Sequence, residues 1–518
     1  MNRVTCTIDG QTVTVPEGTA LIEAARALGI EIPHFCYHPH LPVAGNCRMC
    51  VVEIQGSPKL EIACNTAARE GMAVRTDTEA VRAARRANME FLLANHPLDC
   101  PICDQSGECL LQEYWDAHAR HASRLRDPKV TKGKRIDLGD DLVLDQERCI
   151  ACTRCVRFSE TVTRTGDLVL LGRSDHQRIG PATGARITHA YQGCLAEICP
   201  VGALTSRSFR FRKRVWWLEE VDSICPGCAT GCNVRVCVQD DTVHRILARR
   251  NDAVNRSWAC DEGRGLYREL AAPERPLLGR VAGRPAAREE ALAAAAARLG
   301  SARRPGLVLG GQATCEALLA LVRLHERALP AARLFHVPGP DPGRRAWSDG
   351  ILVHADKDPD TRGVRLLATC AGGVEDGEAL ARALADEALD LLLVLEDDAL
   401  GRLGIPAAPG VVALAFHGHR SAAAAEVLVP VAGCWEQDGT YVNAAGRVQR
   451  LHRAVRPAGE AVPAYVALHR LGALLGVDLG CSTSEAAAGA LAETISGFPR
   501  EVGPEGVVLP PPLDGGTP

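Results

Sequence analysis

The sequence has 518 residues and a formal net charge of −4 at pH 7, with 46% apolar residues, 24% charged residues, 4% aromatic residues and 22 cysteines. At about 150 residues per domain, the length predicts roughly three or four domains, each large enough for its own core, and excludes a mini-protein stapled by disulfides. The balanced charge offers no basic field for nucleic acid or anionic lipid, and no run of about 20 apolar residues could span a bilayer.

The N-terminal stretch MNRVTCTIDGQTVTV resembles neither a signal peptide nor a twin-arginine leader, so we expect a protein of the reducing cytosol. In that compartment, sets of cysteines act as metal or redox ligands more often than as disulfides. Eighteen of the 22 cysteines lie between Cys6 and Cys260, and the rest of the chain has only Cys315, Cys370, Cys434 and Cys481. We therefore expect the ligands in the N-terminal half.

The first set of cysteines follows a predicted strand pair, TCTIDGQTVTV with an Asp-Gly turn, and a predicted amphipathic helix, GTALIEAARALGI. That order suits a ferredoxin-like domain. Gly45 would let backbone N–H groups approach bridging sulfides and so raise the reduction potential. The first gap of ten residues departs from the plant-type C-x4-C-x2-C spacing, and a zinc site is the alternative. The candidate ligands are Cys36, Cys47, Cys50 and Cys64.

The second set follows a predicted helix, TEAVRAARRANMEFLLANHP. Three thiolates and one imidazole can hold either zinc or a four-iron cluster, and the spacing does not choose between them. A neutral imidazole in place of a thiolate removes one negative charge, which would raise the potential of a cluster. The candidate ligands are His96, Cys100, Cys103 and Cys109.

The third set is a C-x2-C-x2-C triplet that a Cys-Pro pair completes far downstream. In the two-cluster bacterial pattern, each triplet has its own Cys-Pro, and that fourth cysteine ligates the other cluster. This sequence contains only one complete set of four ligands of that pattern. Cys194 is one residue out of register, so we interpret it as a small buried apolar residue. The candidate ligands are Cys149, Cys152, Cys155 and Cys199.

The fourth set spans two short loops, ICPGCATGCNVRV and SWACDEGR, and fits a four-iron cubane. The stretch NVRVCVQDDTVHRI predicts a strand pair across an Asp-Asp turn, which places Cys237 in a strand and in the core. Together the sets predict one binuclear and three tetranuclear centres, a density typical of an electron-transfer chain. The candidate ligands of the fourth set are Cys225, Cys228, Cys232 and Cys260.

The C-terminal half predicts an α/β architecture with a doubly wound sheet. PGLVLGGQATCEALLALVRL indicates a strand, a glycine turn and a helix, and ALDLLLVLEDD, VVALAFHGHR and AEVLVPVAG indicate further apolar strands. We expect a linker at AAPERPLLGRVAGRP and a helix after it. The sequence has neither a G-x-G-x-x-G between strand and helix nor a G-x4-G-K-[ST], so a partner chain would bind NADH and flavin. The basic run SRSFRFRKRVWW predicts a solvated or subunit-facing surface.

Six motifs resemble the large iron–sulfur subunit of respiratory complex I, the G-type subunit of bacterial NADH:quinone oxidoreductases: GNCRMCVVEI, HPLDCPICDQSGECLLQEY, RCIACTRCVRF, EICPVGALT, CPGCATGCN and WEQDGTYVNAAGRVQR. The resemblance is near-continuous to about residue 275 and patchy afterwards. It implies a [2Fe-2S] centre at the Cys36 set and [4Fe-4S] centres at the other three, with the Cys225 set off the electron path. It also implies a chain without a substrate site of its own, peripheral on the cytoplasmic side of the bacterial inner membrane. The implied partners are a flavin and NADH-binding subunit, a two-cluster ferredoxin-like subunit and the quinone-site subunits, with no nucleic acid.

The resemblance implies a domain order of α+β followed by α/β. We expect a [2Fe-2S] ferredoxin-like (β-grasp) domain, a His/Cys3 [4Fe-4S] segment, a [4Fe-4S] ferredoxin-like domain, a small molybdopterin-oxidoreductase-type [4Fe-4S] domain, a truncated molybdopterin-oxidoreductase-like α/β domain and a disordered tail. The predicted bounds are 1–78, 79–120, 138–212, 218–274, 275–505 and 506–518.

Related modules occur in NAD-linked formate dehydrogenases and hydrogenases, and a catalytic subunit of that kind is the alternative function. In such formate dehydrogenases, a cysteine or selenocysteine followed by histidine ligates the metal of the pterin. The comparable stretch here, ARLFHVPGPDPG, has no cysteine, and neither Cys315 nor Cys370 precedes a histidine. We therefore expect a catalytically empty scaffold without molybdopterin.

Overall fold

The structure, a computed structural model, describes residues 2–119, 122–340 and 345–509. The chain divides into two compact units, Met1–Leu218 and Glu219–Pro518. Within the described residues, none of the helices combines the length and the apolar character that crossing a membrane requires.

The first domain of the N-terminal unit is a five-stranded sheet in the order β2-β1-β5-β3-β4. Asp9 and Gly10 both have positive φ, the conformation of a tight turn between twisted antiparallel strands, which confirms the predicted hairpin. The predicted helix is present and buries Leu21, Ile22 and two alanines against the sheet. The elements are β1 Arg3–Ile8, β2 Gln11–Pro16, α1 Leu21–Ala27, β3 Val51–Ile54, β4 Glu61–Ile62 and β5 Ala73–Arg75.

Two helices follow, α2 Glu79–Ala94 and α3 Leu110–His118. The Thr78 hydroxyl accepts a hydrogen bond from the Val81 amide and caps the start of α2. Pro97 follows the end of α2, where a proline cannot continue a helix. The loop between these helices holds the second cysteine set.

The rest of the N-terminal unit has a three-stranded sheet in the order β10-β7-β6, a separate β8–β9 hairpin and two contacting helices. The cysteine triplet leads directly into one helix, and the last cysteine of the set follows the other. The elements are β6 Ile136–Asp137, β7 Leu142–Leu144, α4 Arg154–Thr161, β8 Leu168–Leu171, β9 Arg178–Pro181, α5 Gln192–Ile198 and β10 Leu204–Ser206.

The C-terminal unit starts with an antiparallel sheet in the order β11-β12-β13. Asp240 and Asp241 both have positive φ at the turn between β12 and β13, which confirms the predicted strand pair. Cys237 lies in β12 and is fully buried, as predicted. The elements are β11 Glu219–Ile224, β12 Asn233–Gln239, β13 Thr242–Ala248 and α6 Asp261–Gly265.

A seven-stranded sheet in the order β15-β14-β20-β19-β18-β16-β17 forms the α/β domain, and the five strands from β20 to β17 are parallel. The central strands are buried along their whole length because helices cover both faces. The predicted doubly wound fold is confirmed. The elements are β14 Gly279–Val281, β15 Arg284–Ala286, α7 Arg288–Ser301, β16 Pro305–Leu309, α8 Cys315–Ala328, β17 Arg333–Phe335, α9 Thr361–Cys370, α10 Gly377–Ala385, β18 Leu391–Leu395, α11 Ala399–Arg402, β19 Val411–Ala415, α12 Arg420–Ala424 and β20 Val427–Pro430.

The chain then adds a small antiparallel sheet in the order β21-β22-β23 and two more helices. Alternate residues of the large sheet enter two separate apolar cores, with Leu393 on one face and Leu392 on the other. The remaining elements are β21 Gly439–Val442, β22 Arg447–Leu451, α13 Ala464–Leu474, α14 Ser484–Thr494 and β23 Val507–Val508.

Two expectations are wrong, one about a linker and one about the C-terminal tail. The predicted linker AAPERPLLGRVAGRP contains the β14–β15 hairpin, because β14 completes the edge of the large sheet by pairing with β20. The predicted disorder from residue 506 starts too early, because Val507–Val508 pairs with Arg447 and Val448 of β22. The part of the predicted tail at 510–518 lies outside the described residues.

Candidate metal centres

The first cysteine set lies on a loop after α1 and at the end of β4. The Sγ atoms of Cys36 and Cys47 are 3.4 Å apart, and the Phe35 amide donates to the Cys47 sulfur at 3.5 Å. Gly45 and Arg48 have positive φ, which lets this loop curl around the sulfurs. At Gly45 a Cβ would lie 3.1 Å from the Ile62 side chain, so the predicted need for glycine has a steric cause as well.

The four thiols of this set influence one another strongly. A hydrogen bond between Cys36 and Cys47 lowers the pKa of Cys36 and raises that of Cys47. In the same way, a hydrogen bond between Cys50 and Cys64 lowers the pKa of Cys50 and raises that of Cys64. The pKa of Cys36 falls to about 5, so this sulfur favours the thiolate form, which is the form that binds metal.

The second set surrounds the loop between α2 and α3. Cys100 is exposed, Cys103 is buried, and Cys109 precedes the first residue of α3. Burial raises the pKa of Cys109 to about 11, and the nearby Cys103 and Cys100 add to the increase. A Cβ at Gly202 would collide with the Cys103 sulfur, so glycine is required where this loop meets the turn after Cys199.

His96 lies just after the end of α2. Its Nδ1 atom is buried and has no hydrogen-bond partner among the described residues. Burial lowers the pKa of His96 to about 4, with further lowering by Lys129 and Arg148. The ring is therefore neutral at pH 7 and retains a lone pair for a metal, as the predicted ligand role requires.

The third set lines a cavity with about 350 Å³ of space free of protein atoms. The amide of Ala151 donates to the Cys149 sulfur at 3.4 Å, and the amides of Val201, Ala203 and Leu204 interact with Cys199. Burial raises the pKa of Cys149 to about 12 and that of Cys152 to about 11. The structure brings the whole predicted set together around this cavity: Cys149, Cys152, Cys155 and Cys199.

The fourth set lines another cavity, with about 380 Å³ of space free of protein atoms. The amides of Gly227 and Gly263 donate to the sulfurs of Cys225 and Cys260 at 3.4 and 3.3 Å. A Cβ at Gly263 would lie 2.7 Å from the Cys225 sulfur, so this glycine leaves the room that the cavity needs. All four predicted ligands line the cavity: Cys225, Cys228, Cys232 and Cys260.

Lys357 also lines this cavity and was not predicted from the sequence. It is 1% exposed, and its Nζ lies 3.0 Å from a carboxylate oxygen of Glu262. No spacing rule connects a lysine almost 100 residues downstream with a cysteine loop. Only the tertiary structure reveals this buried positive charge.

The donor chemistry of the sets fits iron–sulfur clusters. Thiolates surrounding a cavity, with backbone N–H groups directed at the sulfurs, are the features by which proteins hold and tune such clusters. Within residues 2–119, 122–340 and 345–509, no three His, Cys, Asp or Glu side chains converge closely enough for a single metal ion. Cys194 is fully buried, as predicted for a core residue.

A further cavity of about 680 Å³ lies at the carboxyl ends of the parallel strands in the α/β domain. Ligands of open α/β sheets bind at this edge. The lining includes Glu269, Asp397 and Asp398, and Arg402 is held by Asp397 and Asp358. His417 and His419 line the same cavity beside these carboxylates.

Five family models match the chain in succession. Their descriptions and residues are a 2Fe-2S iron-sulfur cluster binding domain at 1–79, the NADH-ubiquinone oxidoreductase-G iron-sulfur binding region at 85–124, the ferredoxin-like domain of NADH-quinone oxidoreductase subunit 3 at 139–205, the molybdopterin oxidoreductase Fe4S4 domain at 218–272 and molybdopterin oxidoreductase at 395–472. The order of the five matched domains along the chain agrees with the predicted order of fold classes. These matches describe a modular chain built largely of iron–sulfur domains.

Three relatives match half of this chain or more. The G-type subunit of NADH-quinone oxidoreductase from Streptomyces coelicolor is 40% identical over 334 residues, covering 63% of this chain and 40% of that protein. The Mycobacterium tuberculosis protein of the same name is 40% identical over 324 residues, covering 60% of this chain and 40% of that protein. The potato mitochondrial NADH dehydrogenase [ubiquinone] iron-sulfur protein 1 is 42% identical over 260 residues, covering 50% of this chain and 35% of that protein. The chain is similar to these subunits of NADH-quinone oxidoreductase, and it matches 35–40% of the length of these relatives.

Among solved structures, a chain of an NAD+-reducing [NiFe]-hydrogenase in the H2-reduced state is 35% identical. The match covers 41% of this chain and 91% of that chain, with a TM-score of 0.37.

Proposed function

We propose that this chain is an electron-transfer subunit of an NADH:quinone oxidoreductase. It would pass electrons one at a time from a flavin subunit towards quinone and would have no substrate site of its own. One observation carries the proposal: two complete sets of four cysteines each surround a cavity, with backbone N–H groups directed at the sulfurs. A catalytic site for a bound substrate does not need several sets of four cysteines, whereas a chain that passes electrons between clusters does.

The proposed cofactors are one [2Fe-2S] cluster and three [4Fe-4S] clusters, which supply one-electron oxidation and reduction when bound. The chain's own residues supply the thiolates and the imidazole, exclude water and tune potentials through N–H···S hydrogen bonds. The proposed ligand sets are Cys36, Cys47, Cys50 and Cys64 for the [2Fe-2S] cluster; and His96, Cys100, Cys103 and Cys109; Cys149, Cys152, Cys155 and Cys199; and Cys225, Cys228, Cys232 and Cys260 for the [4Fe-4S] clusters.

The proposed partners are the flavin and NADH-binding subunit, a two-cluster ferredoxin-like subunit and the subunits that form the quinone site. The complex would hold the chain on the cytoplasmic face of the bacterial inner membrane. The domain bounds proposed for the clusters are 1–78, 79–120, 138–212 and 218–274, followed by an α/β scaffold at 275–505.

Anaerobic purification of the full chain, followed by metal analysis and electron paramagnetic resonance after dithionite reduction, tests the proposal. Four assembled centres hold about 14 iron atoms per chain and a similar amount of acid-labile sulfide. Signals from both cluster types are expected, with neither molybdenum nor tungsten. Stoichiometric molybdenum with formate oxidation would instead indicate a catalytic subunit, and zinc without a signal would indicate a structural scaffold.

A further inference from the structure

The loops of the first and third cysteine sets contact each other inside the N-terminal unit. The side-chain amide of Asn46, next to Cys47, donates to the Ala151 carbonyl, which lies between Cys149 and Cys152, at 3.2 Å. These two loops belong to different domains by sequence, so their contact is set by tertiary structure. It places two proposed redox centres on adjacent pieces of backbone.

Arg157, on the first turns of α4, joins the two loops through a single nitrogen. Its Nη2 donates to the Cys36 carbonyl at 2.6 Å and to the Cys152 carbonyl at 3.2 Å. Its Nη1 donates to the Pro42 carbonyl, on the same loop as Cys36. Both Cys36 and Cys152 are proposed ligands, so one hydrogen-bonded nitrogen connects a ligand residue of the first set with a ligand residue of the third.

Arg154 makes a second connection of the same kind. Its Nη2 donates to the Tyr37 carbonyl at 2.6 Å, and its Nη1 donates to the Ile198 carbonyl at 3.0 Å. Tyr37 follows Cys36, and Ile198 precedes Cys199. Arg154 therefore joins the Cys36 loop to the end of α5 beside Cys199, whereas Arg157 joins the same Cys36 loop to the Cys152 backbone.

Both guanidinium groups are buried, with exposures of 7% for Arg154 and 8% for Arg157. Their hydrogen-bond acceptors are carbonyl and hydroxyl oxygens, and neither forms an ion pair with a carboxylate in the part of the chain that the structure describes. Burial lowers the pKa of Arg157, while the sulfurs of Cys152 and Cys36 favour its charged form. A buried charge needs compensation, and clusters held by four thiolates carry net negative charge.

We propose that Arg157, supported by Arg154, is a positioning residue that couples the Cys36 centre to the Cys149 centre. This inference rests on the proposed electron-transfer function. Arg157 would act in two ways: its positive charge raises the reduction potential of both centres, and its Nη2 completes a hydrogen-bonded path from the backbone of Cys36 to that of Cys152. Electronic coupling falls less steeply through covalent and hydrogen bonds than through empty space, so this path favours transfer between the sets.

The transfer balances simply. With clusters bound at both sets, one electron would leave one cluster and enter the other, so one cluster would be oxidised and the other reduced. The step would form and break no bond, and Arg157 would neither gain nor lose a proton.

Two substitutions separate the two effects in the anaerobically purified full chain. Arg157→Gln removes the charge and the guanidinium group. Arg157→Lys keeps the charge on a shorter side chain whose single nitrogen falls short of the position that Nη2 occupies between the two carbonyls. Arg173→Gln, an exposed arginine in the same domain, is the matched control. Redox titration monitored by electron paramagnetic resonance measures the potentials, and rapid freeze-quench after substoichiometric reduction measures the rate of equilibration between the centres.

With Arg157→Gln we expect both centres to become harder to reduce, by about tenfold in the reduction equilibrium, or about 59 mV for a one-electron couple. With Arg157→Lys we expect potentials near those of the unchanged chain and at least tenfold slower equilibration, and Arg173→Gln should change neither. Unchanged potentials and rates in Arg157→Gln would overturn the proposal, as would an equal change in Arg173→Gln.

Should Arg157→Gln fail to assemble clusters, Arg157→Lys and Arg154→Gln decide the question. Slower equilibration in either variant with its full iron content supports the coupling role, and rates equal to the unchanged chain in both overturn it. Failure of the proposed function gives a different result, because the unchanged chain would then lack both cluster signals.

Discussion

The cysteine-rich region before residue 219 and the α/β domain after residue 278 are stable for different reasons. The first has strands of two to six residues and loops of positive φ around thiols, with small apolar cores between them. The second has a large apolar core in which five-residue strands are buried along their whole length. A domain with little apolar core depends on metal ligation for its fold, whereas one with a large core does not.

Removal of iron should give the largest difference between the two regions. Structural metal binding contributes on the order of 10 kcal/mol to folding where the site forms only in the folded state. After chelation under reducing conditions, we expect residues 79–119 and 122–218 to lose protection from hydrogen exchange. The α/β domain should keep its protection, and equal loss in both regions would refute the distinction.

A substitution that opens a cavity in the α/β core should have the opposite effect: it should destabilise the α/β domain and leave the clusters unchanged. Leu393, in β18, is fully buried, so Leu393→Ala should lower the free energy of unfolding of this domain by about 2–5 kcal/mol. The paramagnetic resonance signals should stay unchanged. Leu474→Ala is the control, because this residue is 54% exposed, and a comparable loss there would argue against the core as the cause.

The stability of the α/β domain should depend on pH through Glu396. Burial raises the pKa of Glu396 to about 8 in the folded chain, so the folded state binds its proton more tightly than the unfolded state. Stability from this group is therefore full below about pH 4 and falls as the pH rises to about 8, by on the order of 5 kcal/mol.

Glu396→Gln removes that dependence, so it should stabilise the domain more at pH 9 than at pH 5. Denaturant unfolding of both proteins at the two pH values provides the measurement. The same stability difference at pH 5 and pH 9 would show that Glu396 does not cause the dependence.

A smaller, local effect is expected at Gly202. Its added Cβ in Gly202→Ala would collide with the Cys103 sulfur, so the chain must shift at a cost of about 1–3 kcal/mol. We expect a weakened signal from the His96 set and unchanged signals from the Cys225 set. Gly489→Ala, in α14, has open space around its Cβ and should change neither; normal occupancy of the His96 set in Gly202→Ala would contradict the steric account.

Local patterns in the sequence predicted most of the fold. The Asp-Gly and Asp-Asp turns and the apolar run of β18 are each specified by neighbouring residues, and the structure has them. The β14–β15 hairpin was missed because its strands have three residues each and gain their stability from β20, far along the chain. Short strands without alternation give no local signal.

The same limit applies to the candidate sites. The cysteine spacings predicted which thiols would surround each of the two cavities, because ligands on one loop are close in sequence. Arg157 and Lys357 were missed because their role depends on partners more than 90 residues away. The arginines of RCIACTRCVRF were visible in the sequence, but the loop that they reach was not.

The central claim is that the side chains between Cys36 and Cys260 hold one binuclear and three tetranuclear centres. Mössbauer spectroscopy of the full chain, grown with 57Fe and purified anaerobically, counts iron in each cluster type directly. The account predicts about one seventh of the iron in the [2Fe-2S] form and the rest in the [4Fe-4S] form. Iron confined to one cluster type, or cysteine sets filled with zinc, would contradict it.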